Sequence, residues 1–153
     1  MKVIALIVSG GEGKRFDKKL PKQFFRVDDK SILEQCVKKF VDSNLFYKVV
    51  VVCNKDFINE SRIILKKYRL LYVKGGTSRQ ESVYNGLKSI KKYSPDKVLI
   101  HDAVRPFFSK NLLNEIIKKL EKHESVIPTL KIFDSVRVIE KKKYVNLNRE
   151  NIK

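Results

Sequence analysis

The sequence predicts an α/β fold: a mostly parallel sheet flanked by helices, with a projecting β-hairpin arm. Three observations carry that expectation. Residues 3–8 (Val-Ile-Ala-Leu-Ile-Val) and 47–53 (Tyr-Lys-Val-Val-Val-Val-Cys) are continuous apolar runs of the kind that a parallel sheet buries on both faces. Around them the apolar spacing switches to the helical period, so strands and helices alternate. Beyond Pro128 the pattern becomes two short alternating segments about a charged turn, which reads as an antiparallel hairpin. A Rossmann-like core is therefore expected over residues 1–132, with an arm at 133–153.

In chain order, residues 3–8 form the first strand and run into Ser9-Gly10-Gly11-Glu12-Gly13. Ser31 is a plausible N-cap for a helix over 32–40, with Glu34 three residues on completing a capping box. Ile32, Leu33, Cys36, Val37 and Phe40 give that helix one apolar face. Residues 47–53 are the second strand, 57–68 a helix and 70–73 a short strand. Gly75-Gly76 then opens a loop before a helix over 80–92, with Val83, Leu87 and Ile90 expected inward. Residues 97–101 are the fourth strand, 111–122 a helix, and 125–128 a last core strand. The arm comprises 134–139 and 144–147, and it needs something to pack on, because a lone hairpin is marginal in water.

Composition narrows the class. With 153 residues, 42% of them hydrophobic and only 6 Gly and 4 Pro, the chain is long enough for one globular domain and does not read as disordered. No apolar run approaches the ~18 residues that suggest a membrane span, and no cleavable leader is evident, so a cytoplasmic protein is expected. Cys36 and Cys53 lack metal-ligand spacing and read as reduced, buried thiols. The 34 Lys and Arg against 17 Asp and Glu give a net charge of +17, a field that draws phosphate-bearing ligands. Most of it lies in lysine pairs spread along the chain, such as Lys38-Lys39 and Lys91-Lys92, so it reads as a solvated surface without a specific nucleic-acid motif.

The chemistry is concentrated after the first strand. Glycines there let backbone N–H groups approach a ligand, and Lys14, Arg15 and Lys22 follow at once, so the run reads as a phosphate cradle suited to a nucleoside triphosphate. It is not a Walker A loop: Val8 stands where that loop needs its first glycine, and Arg15 where it needs Ser or Thr. Nor is it the dinucleotide fingerprint, since Phe16 replaces the third small residue and Asn54 the acid after the second strand. Asp102, at the carboxyl end of a buried strand, points where ligands bind in open α/β sheets. His101 reads as structural and His123 as a surface residue.

Four patches stand in order: the glycine loop with Arg15 and Pro21-Lys22-Gln23-Phe24; Gly75-Gly76-x-x-Arg79-x-x-Ser82-Val83; Val98-Leu99-Ile100-His101-Asp102-Ala103-Val104-Arg105-Pro106-Phe107; and Asp134-Ser135-Val136 followed by Arg149. In that order and spacing the chain resembles the 2-C-methyl-D-erythritol 4-phosphate cytidylyltransferase family, nucleotidyltransferases of non-mevalonate isoprenoid biosynthesis. The resemblance implies transfer of CMP from CTP to the polyol phosphate with release of pyrophosphate. It assigns Arg15 and Lys22 as catalytic cations, and Ser9, Gly10, Gly11, Gly13, Gly75, Gly76 and Ser82 to CTP. It further assigns Asp102 to Mg²⁺, and Arg105, Ser135 and Arg149 to the acceptor, the last two contributed across a homodimer by the arm.

The sequence departs from the family in having Ser9-Gly10-Gly11 for the common Ala-Ala-Gly, and Asp134-Ser135-Val136-Arg137 for Asp-Thr-x-Lys. It also stops short of the usual Thr-Pro-Gln segment, so a fragment or part of a longer protein is expected. Two alternatives remain open at this point. One is ribitol 5-phosphate cytidylyltransferase or another sugar-phosphate nucleotidyltransferase; the other is a basic module binding RNA.

Overall fold

The computed structural model describes residues 1–11, 21–131, 136–140 and 143–146. They fall into two compact units, Met1–Asn114 and Glu115–Lys153.

In the first unit, four strands form one parallel sheet: β1 (Val3–Ser9), β4 (Lys48–Cys53), β5 (Leu71–Lys74) and β6 (Lys97–Asp102), in the order β5-β4-β1-β6. A two-residue ladder, β2 (Arg26–Val27) with β3 (Lys30–Ser31), precedes helix α1 (Ile32–Ser43). Helices α2 (Ile58–Ile64), α3 (Arg79–Ile90) and α4 (Lys110–Leu120) follow β4, β5 and β6 in turn. The chain steps outward from β1 through β4 to β5, then returns to lay β6 on the other side of β1. The strand order reverses there, and the carboxyl ends of β1 and β6 flank the crevice that such a reversal opens.

The register explains the continuous apolar runs. Ile4, Leu6, Val50 and Val52 cluster with Ile90 of α3 on one face. His101, in register with Ile7, meets the Phe40 ring of α1 at 5.1 Å between centroids, so the odd-numbered residues of β1 face α1. Both faces of β1 are covered, and Val3–Ile7 are almost wholly buried.

Helix α3 meets the expectation at Ile90 and in part at Val83, both packed on the core, but not at Leu87. Its buried residues are Ser82, Gly86 and Ile90, whereas Val83 is half-buried and Leu87 is 38% exposed. The reason is close approach: a Cβ at Gly86 would lie 2.6 Å from Leu6 and 2.9 Å from Val52, so only glycine lets the helix sit this near the sheet. The capping box on α1 is half made. Ser31 Oγ accepts from Glu34 N at 3.1 Å, but the Glu34 carboxylate pairs with Lys67 Nζ at 2.6 Å. The helix expected over 57–68 is a 3-10 turn, Lys55–Phe57, followed by the short α2.

In the second unit, β7 (Arg137–Glu140) and β8 (Lys143–Asn146) pair antiparallel with Val138 opposite Val145, matching the hairpin expectation. The strand expected at 125–128 is absent: those residues are irregular, and Ile127 is 81% exposed. An apolar run ending in proline lacks an N–H donor at its last position and finds no ladder partner among the described residues.

Candidate active site

Three loops leave the carboxyl ends of β1, β5 and β6 and line one open cleft of about 880 Å³. The glycine loop forms its floor, and its carbonyls are turned into the protein. Gln23, almost fully buried in the 3-10 turn Lys22–Phe24, donates through Nε2 to Ser9 O and to Gly11 O, both at 3.2 Å. Asn54, just past β4, donates through Nδ2 to Gly10 O at 3.4 Å and through its backbone N–H to Ser9 O at 3.4 Å. All three carbonyls are thereby satisfied, and among the described residues no backbone acceptor takes the N–H of Gly10 or Gly11. A turn whose carbonyls are fastened inward is suited to present its amides to an anion. Ser9 Oγ is buried with no hydrogen-bond partner among the described residues. Lys22, adjacent to Gln23, is exposed on the cleft wall.

Ser82 ties the second loop to the first. Its Oγ accepts from Gly76 N at 3.0 Å and donates to Ser78 O at 2.8 Å. A Cβ on either Gly10 or Gly75 would come within 2.8 Å of that oxygen. The two glycine turns thus close around one buried hydroxyl whose proton is already committed. Ser78 caps α3 by accepting from Glu81 N at 3.0 Å, and the Glu81 carboxylate accepts from Thr77 N and Oγ1 at 2.7 and 2.8 Å. Those bonds to Thr77 hold the Glu81 carboxyl below its ordinary range.

The third loop carries the charge. Ala103 N donates to Val8 O at 3.0 Å, Arg105 N donates to Asp102 O at 3.1 Å, and His101 Nε2 donates to Arg105 O at 2.9 Å. Burial against the Phe40 and Phe108 rings pushes the His101 pKa down, so the imidazole acts as a neutral brace for the turn. Asp102, on the face opposite His101, accepts at Oδ1 from Arg79 Nε and Nη2 (3.2 and 3.0 Å) and at Oδ2 from Arg105 Nε (3.2 Å).

Of the residues singled out from sequence, Ser9, Gly10, Gly11, Lys22, Gly76, Ser82, Asp102 and Arg105 line this one cleft, and Gly75 packs beneath it on Ser82. Gly13, Arg15, Ser135 and Arg149 lie outside the described residues. Sequence reasoning did not assign Gln23, Asn54 or Arg79 to the site. Gln23 lies in the Pro21-Lys22-Gln23-Phe24 patch and Arg79 in the Gly75-Gly76 patch, whereas Asn54 stands at the position where a dinucleotide fingerprint needs an acid. Among the described residues, Asp102 is the one acid lining the cleft, and no group of three or more metal-ligating side chains occurs. That donor set fits an ion such as Mg²⁺, which takes one or two carboxylates and completes its shell with substrate phosphate and water.

Residues 3–151 match the family described as 2-C-methyl-D-erythritol 4-phosphate cytidylyltransferase, IspD. The chain is 39% identical over 148 residues to the bifunctional enzyme IspD/IspF of Pelagibacter ubique, covering 96% of this chain and 39% of that protein. To the 2-C-methyl-D-erythritol 4-phosphate cytidylyltransferase of Thermosipho melanesiensis it is 34% identical over 144 residues, covering 91% of this chain and 63% of that protein. The solved 4-diphosphocytidyl-2C-methyl-D-erythritol synthase of Anaerococcus prevotii superposes with a TM-score of 0.82 at 29% identity, covering 99% of this chain and 66% of that one. The chain thus spans roughly two fifths to two thirds of the length of these relatives. With its sequence matched almost end to end and its glycine loop, Gly75-Gly76 turn and Asp102–Arg105 turn gathered at one edge of the sheet, the chain belongs to the 2-C-methyl-D-erythritol 4-phosphate cytidylyltransferase family.

Proposed function

We propose that the chain carries the nucleotide-binding part of an enzyme that transfers CMP from CTP to 2-C-methyl-D-erythritol 4-phosphate. The observation that supports this most is the convergence of the fastened Ser9–Gly11 loop, Lys22, Gly75-Gly76 and Asp102–Arg105 on one cleft. A phosphate oxygen of the acceptor attacks the α-phosphorus, the bond to the bridging oxygen of the β-phosphate breaks, and pyrophosphate leaves with the electron pair. The acceptor oxygen is already anionic, so no general base is required, and the protein's task is positioning and neutralisation. In this reading the amides of the glycine loop hold the triphosphate, and Lys22 with Arg15 meets the charge growing on the leaving group. Gly75, Gly76 and the capped start of α3 border the nucleoside, and Arg105 receives the acceptor phosphate.

Asp102 would hold Mg²⁺, which when bound neutralises phosphate charge. The proposal extends to a cytoplasmic homodimer in which Ser135 and Arg149 of the arm complete the acceptor site of a second copy. The buried thiols are compatible with a reducing compartment: burial pushes Cys36 up to about 12 and raises Cys53, which leaves both unreactive.

Pyrophosphate release tests the reading, with methylerythritol phosphate and ribitol 5-phosphate in parallel and UTP, GTP and ATP against CTP. Turnover specific to CTP and methylerythritol phosphate is expected in the full-length protein, with Lys22→Ala lowering it ~10²-fold. Equal use of all four nucleotides, or unchanged turnover in Lys22→Ala, would refute it. Arg149→Ala is expected to raise the acceptor KM, and full acceptor affinity in a form sized as a monomer by light scattering would remove the shared site.

A further inference from the structure

Both oxygens of Asp102, the one carboxylate among the described residues that line the cleft, are taken by guanidinium groups: Arg79 makes two N–H bonds to Oδ1, and Arg105 makes one to Oδ2. These arginines come from different elements, Arg79 from the first turn of α3 and Arg105 from the turn after β6. Both arginines are open to solvent, with side chains 62% and 75% accessible against 33% for Asp102. Ion pairs this open to water are weak and exchange readily for a stronger partner. A buried, fully desolvated pair could not be opened so cheaply.

We infer that Arg79 is a positioning residue that occupies the Asp102 carboxylate as a stand-in cation, and that it yields this carboxylate when a divalent ion and the triphosphate bind. The inference rests on the functional reading above for the identity of that ligand. Before nucleotide arrives, two fixed cations hold Asp102 in place and keep its charge from repelling the triphosphate. With Arg79 turned away, Asp102 would hold a divalent ion, which would supply neutralisation of phosphate charge. The released guanidinium, on the wall of the same cleft as the Ser9–Gly11 loop and Lys22, turns to the phosphate oxygens. No charge is then left unpaired: the carboxylate gains the metal, and Arg79 gains an anion that it can meet with two parallel N–H bonds. Arg105 keeps its hold on Oδ2, so Asp102 is not released to swing out of the cleft.

A carboxylate contested by a side-chain cation and a metal predicts opposite signs for two binding measurements on Arg79→Met. Binding of Mn²⁺ alone, followed by electron paramagnetic resonance, is expected to tighten by about 2- to 5-fold, the scale of one exposed ion pair. Binding of CTP in the presence of saturating Mn²⁺, followed by calorimetry, is expected to weaken by about 10-fold, as for a lost charge-assisted contact. Arg79→Lys keeps the charge but not the two-pronged grip, and is expected between wild type and Arg79→Met in both. Lys92→Met, a charge removed before the amino end of β6 and so at the opposite edge of the sheet, is expected to change neither.

A role for Arg79 in folding alone would weaken both measurements together, and that result would overturn the inference. So would Mn²⁺ binding unchanged in Arg79→Met, or CTP binding that tightens along with Mn²⁺. The metal arm contains neither nucleotide nor acceptor. If Mn²⁺ tightens in Arg79→Met while another nucleotide outcompetes CTP, the contest for Asp102 stands and the cytidylyl reading falls.

Discussion

Gln23 sits between Lys22 and a phenylalanine that packs on Phe57 at 5.6 Å between centroids, so the 3-10 turn is anchored on one side and reaches the glycine loop on the other. Its amide supplies two of the donors that turn the loop carbonyls inward, at Ser9 and Gly11. Each such bond contributes about 0.5–1.5 kcal/mol, and a buried carbonyl left without a donor costs more. Gln23→Met fills similar volume without either donor. It is expected to lower stability by about 1–3 kcal/mol and to weaken CTP binding by roughly 10-fold, because loop amides that are no longer held must be ordered by the ligand. Denaturant midpoints and calorimetry read the two effects separately. Lost stability with CTP affinity unchanged would show that the loop's binding geometry does not depend on Gln23.

The turn after β6 borders the cleft, and His101 holds it. The ring lies against Phe40 of α1 and against Phe108, and its Nε2–H braces Arg105 O. Burial lowers the folded-state pKa below the ordinary value of about 6.5, although the Arg105 carbonyl and the Asp102 charge pull the other way. In the unfolded chain the imidazole takes its proton near that ordinary value, whereas the folded state resists it. Stability is therefore full above about pH 6.5 and declines as pH falls from there toward the folded-state pKa. Urea midpoints between about pH 7.5 and about pH 5.5 are expected to fall more steeply for the native chain than for His101→Gln. Parallel slopes would assign the acid sensitivity to other groups.

At this same scale the elements differ in how far the sequence revealed them. The strands β1 and β4 are legible because burial on both faces leaves an unbroken apolar run, whereas β6, with Ile100 41% exposed, is legible from the short apolar run at 98–100 that ends in His101 and Asp102. Residues 125–128 carry a similar run without a partner strand, a distinction set by pairing and not by composition. The inner face of α3 is partly legible: Ile90 and Val83 pack on the core as apolar residues, but the closest approach is made at Ser82 and Gly86, whose value is their smallness and not their hydrophobicity. Gln23 and Asn54 act on backbone carbonyls, which have no letter in a sequence, and the Arg79–Asp102 pair joins residues whose proximity depends on β1 separating β4 from β6.

For the molecule as a whole, the net charge of +17 raises the question of whether anion binding is a property of the cleft or of the entire surface. The two respond differently to salt. Lysines spread over an exposed surface act through a field that is screened within about 8 Å at physiological ionic strength, and their binding to a polyanion falls steeply as counterions compete. The cleft instead offers fixed backbone amides, held by Gln23 and Asn54, together with a few convergent cations, and short contacts of that kind are screened much less. Non-specific RNA is therefore expected to bind only at low salt and to be released by ~0.2 M salt, whether or not Lys22 is present. CTP is expected to remain bound at that salt and to be lost in Lys22→Ala. Fluorescence anisotropy of a labelled RNA, run beside CTP calorimetry across a salt series, separates the cases. If RNA binding persists above ~0.2 M salt and survives Lys22→Ala, the surface is itself a polyanion site and the charge is more than a solvated coat.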